Sequence, residues 1–319
     1  MKKSLFPIAV ILLPAMFLAP ACSLRKLAMN QVANALTGGG ASTVFTGDND
    51  PELVGDALPF AIKMYESLLA ANPHHQGLRL QTGSLYVMYA NAFLQTPASM
   101  LPEAEYRQQE FSYGRAKNLY LRGRDIILDL LEMKYPGFRA RLERKDYAGA
   151  LKRTVPRDAP LLYWAGAGWL GAYAIDPFDL DLGVTMPRAA ALIEKAYQLD
   201  PGFSAGALHE FYILYYGSLP EYMGGSLEKA REHFRGALAA SGGRSATPYI
   251  SLATSVTIKE QDLAEFRELL GKALAVDPEA DPANRLVNVL NHRKAQWLLD
   301  HAGDFFVEAE ENASADKEN

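Results

Sequence analysis

The helices that this sequence encodes keep ending in the same way. Ala189, Ile193 and Ala196 precede Pro201 by 12, 8 and 5 residues, and Ala230, Phe234 and Ala237 precede Gly242 by the same steps. Phe266, Leu270 and Ala273 hold those places before Pro278, as Ala61, Tyr65 and Leu68 do before Pro73. A small residue lets two helices approach closely, a large apolar one four positions on fills the adjoining groove, and proline or glycine stops the helix. A chain built this way has to stack helix on helix. The stretch before Pro136 departs from the pattern, because Arg124 holds the small-residue place.

From Asp56 onward the apolar spacing is helical almost throughout, and alternating β-branched runs are scarce. The spacing predicts helices over 56–71, 76–95, 103–134, 158–175, 185–199, 203–217, 226–240, 246–259, 261–276 and 283–302, with 136–157 ambiguous. The small–large–small–stop order resembles the second helix of a tetratricopeptide repeat. The steps between stops are 63, 65, 41 and 36, so the units carry inserts. The expected fold is all-α, with helical hairpin repeats of a cryptic tetratricopeptide-like kind forming a compact α-solenoid or α-bundle. Stacked helix pairs would make a concave binding face; a generic irregular bundle is the alternative.

Ahead of this region come Lys2 and Lys3, an apolar run from Leu5 to Leu18, small residues, and the only cysteine, Cys22. These are the parts of an export signal, and the apolar run is short for a membrane span. Ala19-Pro20-Ala21-Cys22 is similar to a bacterial lipobox, in which a diacylglycerol is placed on the cysteine thiol; leucine at the third place before the cysteine would match better. A lone cysteine in an exported protein has no internal disulfide partner, and lipid attachment explains it. An ordinary secretory signal with an incidental cysteine is the other reading. Acyl chains on Cys22 would hold the protein on a membrane, at about 0.8 kcal/mol per buried methylene. Ser23, not aspartate, comes next, which by likeness to bacterial lipoproteins favours the outer membrane over the inner. The expected layout is a lipoprotein signal peptide over 1–21, a lipid-anchored tether over 22–55 and a single all-α domain over 56–305. A disordered polar tail over 306–319 completes it.

Without Lys2 and Lys3 the chain carries 30 basic and 37 acidic residues, a balance of −7. With that sign and no basic stripe, nucleic acid is not expected as a partner. His209-Glu210 begins like a zinc-protease motif, but Ile213 stands where the second histidine belongs. His74 and His75 lie just past a helix stop. Asp176, Asp179 and Asp181 share a loop that lacks the glycine and closing glutamate of a calcium-binding hand. No nucleophile elbow, phosphate-binding loop or dinucleotide fingerprint occurs. No enzyme, cofactor or metal site is expected.

The aromatic residues are more informative. Tyr86 and Tyr89 recur with Phe93 at helical spacing, Trp164, Trp169 and Tyr173 share a small-residue-rich helix, and Tyr212 and Tyr216 follow His209. Aromatics at such spacing usually pack in cores, but a subset suits the wall of a cavity for an apolar or amphipathic ligand. The stretch from Gly217 to Gly225, with Glu221 in it, is longer than a tetratricopeptide turn and fits a lid, a docking surface or a plain connector. Tyr86, Tyr89, Trp164, Trp169, Tyr173, His209, Tyr212, Tyr216 and Glu221 are therefore the candidates for a ligand cavity or partner surface.

The exported cysteine, the cryptic repeats and the run Gly217-Ser218-Leu219-Pro220-Glu221 with Met223-Gly224-Gly225-Ser226, Ala230 and His233-Phe234 resemble the T component (TatT) of the tetratricopeptide-repeat-associated TRAP transporters. Pro248 to Ala253, Gln261-Asp262, Val276-Asp277-Pro278 and Trp297-Leu298-Leu299 extend the likeness. It covers 22–305 and is most specific over 160–300. The resemblance implies an all-α lipoprotein facing the bacterial periplasm. It also implies a homotrimer with hydrophobic, pore-like cavities, associated with a solute-binding P component. That component feeds an ion-coupled permease. A hydrophobic or amphipathic small molecule would be bound and handed over with no bond chemistry. The alternative is a repeat-built lipoprotein scaffold for cell-envelope assembly with no small-molecule ligand.

Overall fold

A computed structural model describes residues 30–38 and 43–307. The expected export signal, the lipid site at Cys22 and the chain beyond 307 lie outside the described residues. Among the described residues every regular element is helical and no strand occurs. After α1 (30–37) and α2 (Thr43–Thr46) come α3 (Pro51–Ala71) and α4 (Gln76–Tyr89). A π turn over Ala90–Gln95 carries α4 into α5 (Thr96–Ala98), and α6 (Tyr106–Lys134) follows. The ambiguous stretch contains two short helices, α7 (Phe138–Glu143) and α8 (Tyr147–Leu151). Then come α9 (Ala159–Ile175), α10 (Leu180–Gly183), α11 (Met186–Leu199), α12 (Ala207–Ser218) and α13 (Leu227–Ser241). A second π turn over Ala253–Thr257 joins α14 (Thr247–Leu252) to α15 (Ile258–Glu260), before α16 (Leu263–Leu274) and α17 (Arg285–Asp300).

Local chemistry sets these boundaries. α3 starts before the expected residue 56 because Asp50 caps it: its carboxylate accepts from the Leu53 amide, and Pro51 fits the first turn. Asp262 and Ser226 cap α16 and α13 in the same way. Gly242, at φ 59°, ends α13 in the left-handed region that glycine enters without steric cost. Most of the pattern residues became core, while Leu68 and Phe234 are half-buried against it. Ala189, Ile193, Ala196, Ala230, Ala237, Leu270 and Ala273 are fully buried, and Phe266 packs against buried Phe306 with ring centroids 4.8 Å apart and planes tilted by 59°. The departure at Arg124 has its own use, with the guanidinium 4.7 Å above the Trp169 ring.

Packing proceeds in chain order: α3 on α4, α4 on α6, α6 on α9, α9 on α11, α12 on α13 and α14, and α14 and α17 on α16. α17 then returns to α2 and α3. Leu286 is buried in the same cluster as Val54 and Leu58, Arg285 donates to the Gly47 carbonyl at 3.0 Å, and Arg293 pairs with Glu52. The two ends of the described chain thus close on each other.

Candidate functional site

Closure sets one group of helices inside the others. α4, α9, α12, α14 and α17 contact one another in succession. α9 is apolar on every side, and it buries Leu161, Leu162, Ala165, Trp169 and Ala172 against neighbours on both flanks. Three polar side chains of this inner set, Tyr163, Glu210 and Lys294, are surrounded by protein yet keep some solvent contact. Tyr163 lies edge-on to Trp164 at 5.1 Å and beside Phe203 at 5.2 Å. The Glu210 carboxylate accepts from Ser245 Oγ at 3.0 Å, and burial pushes its pKa up to about 7. Burial first, and then the Glu210 charge, raise Tyr163 above the ordinary phenol range. Tyr120, fully buried, donates to Gln95 Oε1 of the first π turn at 2.5 Å. π turns recur at functional sites because they re-aim side chains.

A second cluster lies between α12 and α13. The Nδ1 atoms of His209 and His233 are 2.9 Å apart, so one imidazole donates and the other accepts. Tyr212 stacks on His233 at 4.5 Å and donates to Glu194 at 2.9 Å, Tyr216 stacks on Tyr212 at 5.5 Å, and Tyr197 meets His209 edge-on at 5.2 Å. Burial holds both histidines below their ordinary pKa, and in His233 the His209 neighbour adds to it. On another side, a shallow cleft of about 330 Å³ is lined by Arg124, Arg139, Arg188, Trp169 and Thr185, among others. There Trp169 Nε1 donates to Thr185 at 2.8 Å. Among the described residues no three His, Cys, Asp or Glu side chains converge as a metal site requires.

The model of the TRAP transporter T-component family matches residues 47–306. The chain belongs to the TRAP transporter T-component family. An uncharacterised protein of Treponema pallidum (strain Nichols) is 36% identical over 310 residues, spanning 91% of this chain and 95% of that protein. This T component is accordingly a subunit of a membrane-associated transport system, and no described helix is long and apolar enough to cross a membrane.

Of the residues that the sequence singled out in this T component, His209, Tyr212 and Tyr216 come together. Tyr89 stacks on Phe93 at 5.7 Å, and Trp164 packs beside Tyr163. Tyr86 is elsewhere, buried in the N-terminal core with the Arg122 guanidinium 4.9 Å over its ring. Trp169 lines the outer cleft, and Tyr173 packs on the central core. Glu221 is exposed at the start of a 3₁₀ turn in the connector between α12 and α13. Gly225 is sterically required in that connector, since a Cβ there would fall 1.9 Å from the Leu219 carbonyl. Sequence reasoning passed over Tyr163, Ser245 and Lys294, weighed Glu210 only within an incomplete zinc motif, and used His233 only in the family likeness. A charged residue at a position where the helical period expects an apolar one was the available signal for Lys294.

Proposed function

We propose that this T component faces the bacterial periplasm on a lipid anchor at Cys22, binds a hydrophobic or amphipathic small solute, and passes it to a docked solute-binding P component. It performs no bond chemistry. The observation that carries the reading is the aromatic group of Tyr163, Trp164 and Phe203 with the enclosed Glu210 carboxylate acting on Tyr163. Apolar walls with a few placed polar groups are the make-up of small-molecule sites. The connector from Leu219 to Gly225, where Tyr222 is 88% exposed, is the candidate docking surface for the P component. Homotrimer formation, and the outer membrane as the place of the anchor, belong to the same reading.

The test is analytical ultracentrifugation of this chain mixed with the solute-binding protein encoded beside it. A complex holding several copies of each chain is the expected result. Self-assembly of this chain that ignores the solute-binding protein at high micromolar concentration would overturn the reading and return the envelope scaffold as the better account.

A further inference from the structure

The connector between α6 and α9 carries charge opposite to that of the chain as a whole. From Arg139 to Arg157 it holds seven basic and two acidic residues, a balance of +5 in a protein whose total is −5. Arg139 is committed to Asp129 at 2.7 Å, and the Asp146 carboxylate caps α8 at the Gly149 amide. Arg144, Lys145, Lys152, Arg153 and Arg157 are exposed, and none of them forms an ion pair among the described residues. Val155, 37% exposed, stands among the last of them. Like charges crowded together repel one another, which an anionic surface laid against them would relieve.

The described chain enters on the same side. The Asn72 side chain donates to Asn30 Oδ1, and His75 Nε2 lies 3.0 Å from Asn34 Oδ1, so α1 begins beside the turn from α3 into α4. Arg79, in the first turn of α4, donates to the Pro73 carbonyl at 2.9 Å and faces Asp129 at 3.9 Å. Asp129 is the carboxylate that holds Arg139. A run of contacts therefore leads from residue 30 to α7. Cys22 precedes residue 30 by eight positions, and eight residues reach at most about 29 Å. A lipid on that cysteine would keep this end of the molecule within that distance of a bilayer. The chain from Thr185 to Phe203 pairs antiparallel with α9, through Trp169–Thr185 and Tyr163–Phe203, and with α12, through Tyr212–Glu194 and Tyr197–His209. α9 and α12 thus run parallel, and the connector after α12 lies at the opposite end from the basic one.

We propose that the basic connector between α6 and α9 lies against the headgroups of an anionic lipid bilayer, as a second attachment beside the acyl chains. The proposal rests on the lipid-anchor reading above and deepens it by fixing which end of the molecule meets the membrane. The Leu219–Gly225 connector then faces away from the bilayer, towards the P component. Acyl chains and a polybasic patch act together in holding proteins on membranes. An acidic protein would match the same charges, but the point of entry of the chain puts the bilayer within reach.

The experiment is hydrogen exchange on the full chain, extracted from the membranes of the producing cells and reconstituted into vesicles of phosphatidylcholine, alone or with phosphatidylglycerol added. The mass of the peptide beginning at Cys22 reads the anchor. Exchange over 139–157 is expected to slow at least about threefold on the anionic vesicles, to recover at high salt, and to be unchanged over 219–225. Arg144→Glu with Lys152→Glu, both at exposed positions, should remove the slowing and keep the melting temperature. If Cys22 carries lipid but exchange over 139–157 is equal on both vesicles, the inference falls and the anchor reading stands. The same holds if the double variant keeps the slowing. Slowing with soluble polyglutamate, and with neither vesicle, overturns the bilayer in favour of an acidic protein. Cys22 found without lipid overturns the anchor reading, and with equal exchange on both vesicles it overturns the two together.

Discussion

Asp158 is fully buried, and its carboxylate accepts from Lys134, from the Tyr135 hydroxyl and from the Val155 amide at 3.0 Å. It fastens the end of α6 to the start of α9. Burial opposes its charge, but these donors outweigh it and lower its pKa. Burial and the same hydrogen bond push the Tyr135 hydroxyl up to about 12. Asp158→Ala should cost about 3 kcal/mol in urea denaturation, because it strands two half-buried side-chain donors, the Lys134 ammonium and the Tyr135 hydroxyl. Glu210 behaves in the opposite sense. Its folded pKa of about 7 lies above the unfolded value near 4.5, so the folded state holds the extra proton. Its contribution is fully present below about pH 4.5 and is lost as pH rises towards 7. Glu210→Gln should flatten the stability profile over that window by about 1–3 kcal/mol, which denaturation at pH 5 and pH 7.5 will measure.

At the scale of the element, α4 and α6 cross with their backbones touching. A Cβ at Gly123 would meet the Gly83 carbonyl at 2.6 Å, and one at Gly83 would meet the Gly123 carbonyl at 2.9 Å. Because both obstacles are backbone atoms, neither can turn aside. Gly123→Ala should therefore destabilise by about 1–3 kcal/mol, although alanine in a helix interior is otherwise worth roughly 1 kcal/mol over glycine. Its melting temperature is the readout. The helices themselves were legible because their signals are local. The predicted 103–134, 158–175 and 185–199 match α6, α9 and α11 to within three residues. The π turns at Ala90–Gln95 and Ala253–Thr257 were not legible, since one added residue per turn leaves the apolar spacing helical.

For the whole molecule, the decisive feature is the return of α17 to α2 and α3. Leu286 carries it, being 1% exposed among Val54, Leu58 and Leu78. Leu286→Ala should cost about 2–5 kcal/mol and raise hydrogen exchange in α3 ahead of α13. The exposed Glu52–Arg293 pair lies on the same seam, and Glu52→Gln should leave α3 exchange unchanged, because solvent screens such pairs.

Local pattern alone determined that this chain is all-α, where its helices stop, and which small and large residues meet between them. Those properties depend on residues within a few turns of one another. The family resemblance drawn from Gly217 to Phe234 likewise needed no coordinates. Only the tertiary structure decided which faces look inward. Tyr163 and Glu210 lie far apart in sequence, on α9 and α12, and nothing in the turns around them distinguishes an enclosed face from an exposed one. The return of α17 to α3, carried by Leu286 among Val54 and Leu58, is likewise a contact across most of the chain that no helical period encodes.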